Sequence, residues 1–291
     1  MVSKVLLRPF NGSLDDARGI LAVDRAAFND CPYSPAQIVR LLTRGEQRAW
    51  VAEAGGRVAG FVTAFPTHTL QAESWEVDLL AVQPRHRRQG IGTALIKQAA
   101  AGAAESGVTQ TRGVVAARNH ASRRAFEAAG FQILPQTCHL MRCDVAGAAD
   151  RPPMPGRDAI RRLIGEADAR GLLQLAPALP HTAQDVTRLA NAESTTILVA
   201  ERDGGVSAFA ELVKVRTLLY AGAWVEMLVT SHPDEAAPLI ATAVEQVKAE
   251  GLDEIGCLVA ARDWRLRQAF VGEGFVSAGE YLVMIHALRE A

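Results

Sequence analysis

The chain has 291 residues, 49% of them hydrophobic and 22% charged, with a formal net charge of −1. That length suits one large domain or two of about 145 residues, and a near-neutral balance supplies no global field to attract nucleic acid or an anionic membrane. The opening MVSKVLLRPF lacks the apolar run of a signal peptide and no stretch is apolar enough to span a bilayer, so a soluble, cytoplasmic protein without membrane or nucleic-acid partners is expected.

In chain order, Val5 to Pro9 reads as a short strand and Ser13 to Phe28 as an amphipathic helix. Ser34 followed by Pro35 resembles a cap with proline at the first helical position, opening a helix to about Leu42. Trp50 to Glu53 and Val58 to Phe65 flank Gly55-Gly56 and predict a hairpin. Trp75 to Val82 predicts a strand, Gly90 to Glu105 an alanine-rich helix, Thr111 to Ala117 a strand, Ala121 to Ala129 a helix and Phe131 to Asp144 a further strand. Val145 to Gly156, rich in Ala, Pro and Gly, reads as a linker. The order then repeats from about Arg157, with a hairpin around Asp203-Gly204-Gly205 but no recognisable first strand. The four cysteines (Cys31, Cys138, Cys143 and Cys257) are too scattered for a disulfide framework, and the seven histidines show no pair at metal-ligand spacing, so no metal is expected.

An internal repeat organises the whole. VVAARNHASRRAFEAAGF, Val114 to Phe131, aligns without a gap to LVAARDWRLRQAFVGEGF, Leu258 to Phe275, with nine of eighteen positions identical at an offset of 144. Upstream, WVAEAGGRVAGF from Trp50 matches LVAERDGGVSAF from Leu198, and VDLLAV from Val77 matches VEMLVT from Val225, both at offset 148. The second copy has therefore lost four residues between these segments, 148 less 144. A period this long means tandem domains rather than a solenoid. The division drawn is residues 1–145, a linker 146–156 and residues 157–291, each half an α+β sheet flanked by helices.

The lost residues fall where the first copy carries its most distinctive segment. From Val82 the chain reads VQPRHRRQGIGT: a strand ends, an arginine-rich turn follows, and Gly90 and Gly92 open a helix. Glycines permit positive φ and close approach to a ligand, the first helical N–H groups lack intrahelical partners, and the macrodipole adds positive charge. Arg85, Arg87 and Arg88 reinforce it, so diphosphate is the natural guest. A dinucleotide turn would need G-x-G-x-x-G and a later acidic residue, which are absent; a basic turn that only caps a helix is the other reading.

Arg87-x-x-Gly90-x-Gly92, between the strand LLAV and the downstream Asn119 and Gly130-Phe131, resembles the pyrophosphate loop of the GNAT N-acyltransferases. The resemblance implies two tandem domains of mixed, mostly antiparallel twisted sheet, and an N-acetyltransferase with acetyl-CoA as co-substrate and a primary amine as acceptor. It implies that Leu80, Ala81 and Val82 pair with the pantetheine arm, that Arg87, Arg88, Gln89, Gly90, Ile91, Gly92 and Thr93 hold the pyrophosphate, and that Asn119 lies near the pantetheine or merely caps its helix. Direct transfer needs a base to deprotonate the amine. Glu76 and Asp78 alternate along the strand and share a face; each is a candidate base, or else a member of an ion pair. Where the family often places a tyrosine that protonates the departing thiolate, this chain has Phe126.

In the second copy the corresponding segment is Thr230-Ser231-His232-Pro233-Asp234-Glu235-Ala236. Glycines and arginines are gone and carboxylates stand in their place, which repel a diphosphate. This half is expected to complete the fold, either in a monomer that is a pseudo-dimer or in a homodimer, and to wall the acceptor pocket. In the tandem enzymes of the family that this plan resembles the active copy is the C-terminal one; here the resemblance implies the N-terminal. The alternative function is a non-catalytic acetyl-CoA-binding module, regulatory or scaffolding.

Overall fold

The computed structural model describes residues 5–28, 31–103, 106–145, 159–218 and 220–288; the segment read as a linker lies outside them. The first half runs β1 (Val5–Pro9), α1 (Leu14–Ala27), α2 (Pro35–Arg44), β2 (Arg48–Ala54), β3 (Arg57–His68), β4 (Glu73–Val82), α3 (Ile91–Ala103), β5 (Gln110–Ala116), α4 (His120–Ala128) and β6 (Gln132–Asp144). The second repeats it with β7 (Ile160–Arg162), α5 (Gly165–Leu175), α6 (Ala183–Ala190), β8 (Thr195–Arg202), β9 (Gly205–Arg216), β10 (Ala221–Thr230), α7 (Ala236–Ala249), β11 (Glu254–Ala260), α8 (Trp264–Gly272) and β12 (Val276–Ala287). The second copy does have a first strand. β7 is three residues long and pairs with β8 from Ile160 to Arg162, too short to display the alternation by which a strand is recognised in sequence.

Local signals account for the helix starts. Ser34 accepts the Gln37 N–H while the Gln37 side chain accepts the Ser34 N–H, a capping box with Pro35 at the first position. Asn119 and Asp263 occupy matching N-caps, accepting the N–H groups of Ser122 and Leu266 at 3.1 and 3.0 Å.

All twelve strands form one sheet in the order β1-β2-β3-β4-β5-β12-β6-β11-β10-β9-β8-β7. The order is a palindrome with the last strands of the two halves exchanged: β12 pairs with β5 of the first half, β6 with β11 of the second, and β6 with β12 at the centre. Among the described strands only β4–β5 and β10–β11 are parallel. Each core thereby includes a foreign strand, with Met284 of β12 buried in the first half and Met141 of β6 in the second.

A second exchange lies in the hairpin loops. Leu70 belongs to the core of the second half and Leu218, its equivalent 148 residues on, to that of the first. Each backbone N–H is met by a buried side chain of the receiving half: Leu70 by Glu211 at 2.8 Å, Leu218 by Gln47 at 3.0 Å. Glu211 is wholly enclosed and its second oxygen has no hydrogen-bond partner among the described residues. Burial pushes its carboxyl up to about 8, against the Leu70 N–H, with Glu226 raising it further and Arg112 opposing. The folded protein therefore holds a proton there that the unfolded chain has lost above about 4.5, and stability falls as pH rises from there to about 8. Glu211→Gln, which keeps an acceptor for Leu70, flattens the upper part of that fall; urea midpoints at pH 6 and 8 measure it, and an unchanged difference rules the assignment out.

Candidate functional site

Strand β4 sets the geometry. Its pairing with β3 slips between Val62/Leu80 and Ala64/Val77, so Asp78 and Leu79 together oppose Thr63 in a β-bulge. Its parallel pairing with β5 ends at Val77/Gly113. Beyond that point the two strands part. The Gln83 N–H bonds the Ala59 carbonyl at 2.9 Å, fixing Ala59/Gln83 as a hydrogen-bonded pair. Alternation along an antiparallel ladder then turns the backbone groups of Leu80 and Val82 away from β3 and into the gap, and those of Ala81 toward β3. Of the three consecutive residues singled out in sequence, Leu80 and Val82 face the gap through their backbones and Ala81 does not.

At the end of this gap stands the glycine-arginine loop. A single 3₁₀ turn, Pro84–His86, leads into Arg88 at φ 60° and Gly90 at φ 77°. Arg85, Arg87, Arg88 and Gln89 are exposed, with the Arg87 guanidinium folded back on the Val82 carbonyl at 3.1 Å. The Gly90 carbonyl takes the Ala94 N–H, so the N–H groups of Ile91, Gly92 and Thr93 belong to the open first turn of α3. The two glycines are not equivalent. Gly90 has the left-handed φ that favours glycine; Gly92 does not, and a Cβ there would meet Leu80 and Ala125 at ordinary distances of 3.9 Å. Asn119 caps α4, and Asp263 does the same for α8 where the loop is missing, so the cap suffices to explain the residue.

The second half keeps the parting of strands and loses the cradle. Pairing of β10 with β11 ends at Val225/Cys257, beside a bulge at Glu226. The space of the loop is taken by a turn in which buried Glu235 accepts the His232 N–H at 3.0 Å, while Arg202 is paired with Asp234 at 2.8 Å. Acidic residues stand in the turn where the first half has its arginines and glycines.

On the face of the sheet carrying Glu76 and Asp78 lies a cavity of about 370 Å³ between the halves, its walls including Phe65, Val114, Tyr220, Trp224 and Tyr281. Glu76 and Asp78 both line it, in different states. Both Glu76 oxygens accept from the Arg112 Nε, at 2.8 and 2.9 Å, and Thr67 Oγ1 adds a third bond at 3.0 Å. The other edge of the same guanidinium grips Glu226 of the second half through Nη1 and Nη2. Among the described residues Asp78 has no cation partner: it accepts from Gln47 at 2.9 Å and more weakly from Thr63 at 3.5 Å, with Thr217 as a further donor. Burial pushes its carboxyl up to about 6, the Glu76 charge adding to the shift and the three donors opposing it.

Arg112, Gln47, Trp224 and Tyr281 were not singled out by the sequence. The repeat held the signal: Glu76 and Arg112 align with Trp224 and Gly256, an ion pair in one half against an indole on a glycine in the other. Removing Arg112 strands two buried carboxylates side by side, and Arg112→Met is expected to cost about 3–5 kcal/mol of stability by chemical denaturation; a loss under about 1 kcal/mol contradicts this reading of the triad. Phe126 is core, its ring against Gly113 and edge-on to Phe131 with centroids 5.0 Å apart.

Residues 15–131 match the family model described as "Acetyltransferase (GNAT) family". A mycothiol acetyltransferase of Nocardia farcinica is 34% identical over 162 residues, 55% of this chain and 51% of that protein. The rat N-acetyltransferase family 8 member 3 is 31% identical over 85 residues, 28% of this chain and 37% of that one. The chain thus spans about half the length, or less, of the curated relatives it matches. A GCN5-related N-acetyltransferase of Sphaerobacter thermophilus superposes with TM-score 0.62 at 17% identity, covering 99% of this chain and 96% of that one. A tandem GNAT protein from the clavulanic acid biosynthesis pathway does so with TM-score 0.58 at 16% identity, covering 99% and 100%. Residues 15–131 are thus similar to the GNAT acetyltransferase family, and the fold of the whole is that of tandem GNAT structures. Among the described residues no helix is long and apolar enough to cross a membrane, and no group of three His, Cys, Asp or Glu is placed to hold a metal.

Proposed function

We propose that the protein is an N-acetyltransferase that moves an acetyl group from acetyl-CoA directly to a primary amine within one ternary complex. The observation carrying this reading is the gap past Val77/Gly113, which runs between an anion cradle at the N-terminus of α3 and a cavity holding a carboxylate without a cation. The pyrophosphate lies on the open N–H groups of Ile91, Gly92 and Thr93, with Arg85, Arg87 and Arg88 as counter-charges. The pantetheine arm follows the gap along Leu80 and Val82.

Asp78 is the base. A free alkyl ammonium has a pKa near 10.4, so an unassisted neutral amine is scarce at pH 7. A buried carboxylate with a pKa near 6 is ionised at that pH and still takes a proton readily. The amine nitrogen then attacks the thioester carbon, and the Leu80 N–H, directed into the gap, stabilises the developing oxyanion. Collapse forms the amide and breaks the carbon–sulfur bond; with Phe126 buried and without a proton, the sulfur departs as thiolate, tolerable for a thiol of pKa near 8.5. The thiolate takes up the second proton that the nitrogen sheds, while Asp78 returns the first to solvent. Glu76, held by Arg112, fixes that arginine rather than taking a proton.

Thiol release from acetyl-CoA with a panel of primary amines tests the proposal: amine-dependent release supports it. Acetyl-CoA binding without release for any amine favours the non-catalytic binding module, toward which the loss of tyrosine at Phe126 points.

A further inference from the structure

The cavity's charges and walls narrow the acceptor, given the acetyl-transfer reading above. The four carboxylate oxygens of Glu76 and Glu226 are all engaged by Arg112, and both side chains are nearly enclosed, at 10% and 6% exposure. That leaves Asp78 as the cavity carboxylate whose partners include no cation. One carboxylate of this kind matches one ammonium group. A polyamine or a diamino sugar would bury a second cation with nothing to receive it, and such burial is costly.

Apart from Thr67, Thr69 and Arg142, whose guanidinium is held by Glu254, the remaining walls are apolar and aromatic, and most of the aromatic side comes from the second half. Trp224 packs closely on β11 because Gly256 has no side chain: a Cβ there would stand 2.9 and 3.1 Å from the indole ring. Tyr220 meets Trp224 edge to face, with centroids 6.3 Å apart at 83°, and its hydroxyl is tied back to the Ala223 carbonyl. The indole is thus held from behind and from the side, leaving a fixed aromatic surface in the cavity. Tyr281 enters from the exchanged strand β12. It sits opposite Ala116 of β5, so it projects on the face that carries Val114 and Arg112. In the first half the positions of Trp224 and Gly256 hold the Glu76–Arg112 pair instead. Where the half with the cradle has an ion pair, the half without it has a seated indole, which suits the recognition of a flat ring.

We propose that the acceptor is a monoamine carried on an aromatic body, its ammonium group on Asp78 and its ring against Trp224 and Tyr281. The test compares kcat/KM for tryptamine and phenethylamine with ethylamine, spermidine and glycine, using acetyl-CoA and the full chain. Burying an aromatic ring is worth about tenfold or more, so the aryl amines are expected to exceed ethylamine by at least that factor. Trp224→Ala, its folding checked by thermal melting, is expected to remove most of the preference through KM. Spermidine, glycine or ethylamine used as well as the aryl amines overturns the inference and leaves acetyl transfer standing. If no amine releases thiol, acetyl transfer fails and calorimetry decides the ligand class: tryptamine binding to the CoA complex, weakened in Trp224→Ala, supports the inference, and no tryptamine binding overturns it.

Discussion

Asp78→Asn lowers kcat by about 10²–10³, the usual contribution of a positioned base, while acetyl-CoA affinity stays within about twofold. The substitution is isosteric and keeps an acceptor for the Gln47 amide, now 2.9 Å from the carboxylate. The cradle lies at the far end of the gap and is untouched. In the parent protein kcat/KM falls about tenfold per pH unit below about 6, where Asp78 takes its proton; in the variant this limb disappears. Stability separates the chemistry from damage to the fold. Because burial raises the Asp78 pKa, the native state retains a proton that the unfolded chain sheds above about 3.8, so this residue's contribution to stability declines as pH rises toward 6. Asparagine carries no charge to desolvate, and the variant is expected to be no less stable than the parent at pH 8. A surviving acid limb in Asp78→Asn would move the base to another group. Glu76→Gln is expected to differ in kind: it loosens Arg112, costs stability, and keeps the acid limb while moving it to lower pH, because the Glu76 charge helps to raise Asp78.

Gly90→Val is the second large effect. Gly90 stands at φ 77°, and nothing lies within 4 Å of a Cβ placed there, so the side chain would clash with no neighbour. The cost lies in the backbone, where a β-branched residue resists the left-handed region by about 1–3 kcal/mol. The loop is exposed and carries little of the core, so it changes shape to escape the strain and the fold survives. Acetyl-CoA affinity is expected to drop at least about tenfold with a melting temperature close to that of the parent. Gly92→Ala is the control. Gly92 has no positive φ and a methyl group there makes ordinary contacts, so affinity is expected to be retained. Equal losses in the two variants would mean that neither glycine's conformation sets the cradle.

Much of this was legible in the sequence because it is local. The glycine-arginine loop, the Ser34-Pro35 cap, the Gly55-Gly56 hairpin and the 144- and 148-residue offsets each show in a few adjacent positions, and each corresponds to an observed element. What escaped was long-range. Alternation along β4 puts Glu76 and Asp78 on one face and makes them look alike. Arg112, 36 residues later, together with Glu226, 114 residues beyond that, makes one of them an ion-pair member and leaves the other without a cation. The exchange of β6 and β12 was equally hidden, since either pairing buries the same apolar strand faces. The division drawn at residue 145 follows the repeat, while the sheet assigns β6 to neighbours β11 and β12. The exchanges of Leu70 and Leu218 depend on the same relation between the halves, and so does the cavity.

The measurement that bears most directly on the account is isothermal calorimetry of acetyl-CoA with the intact chain. One molecule bound per chain, with affinity falling as salt is raised, is the expected result, because one half offers open amides and arginines and the other has Asp234 and Glu235 in the corresponding turn. No binding, or two molecules per chain, would contradict it.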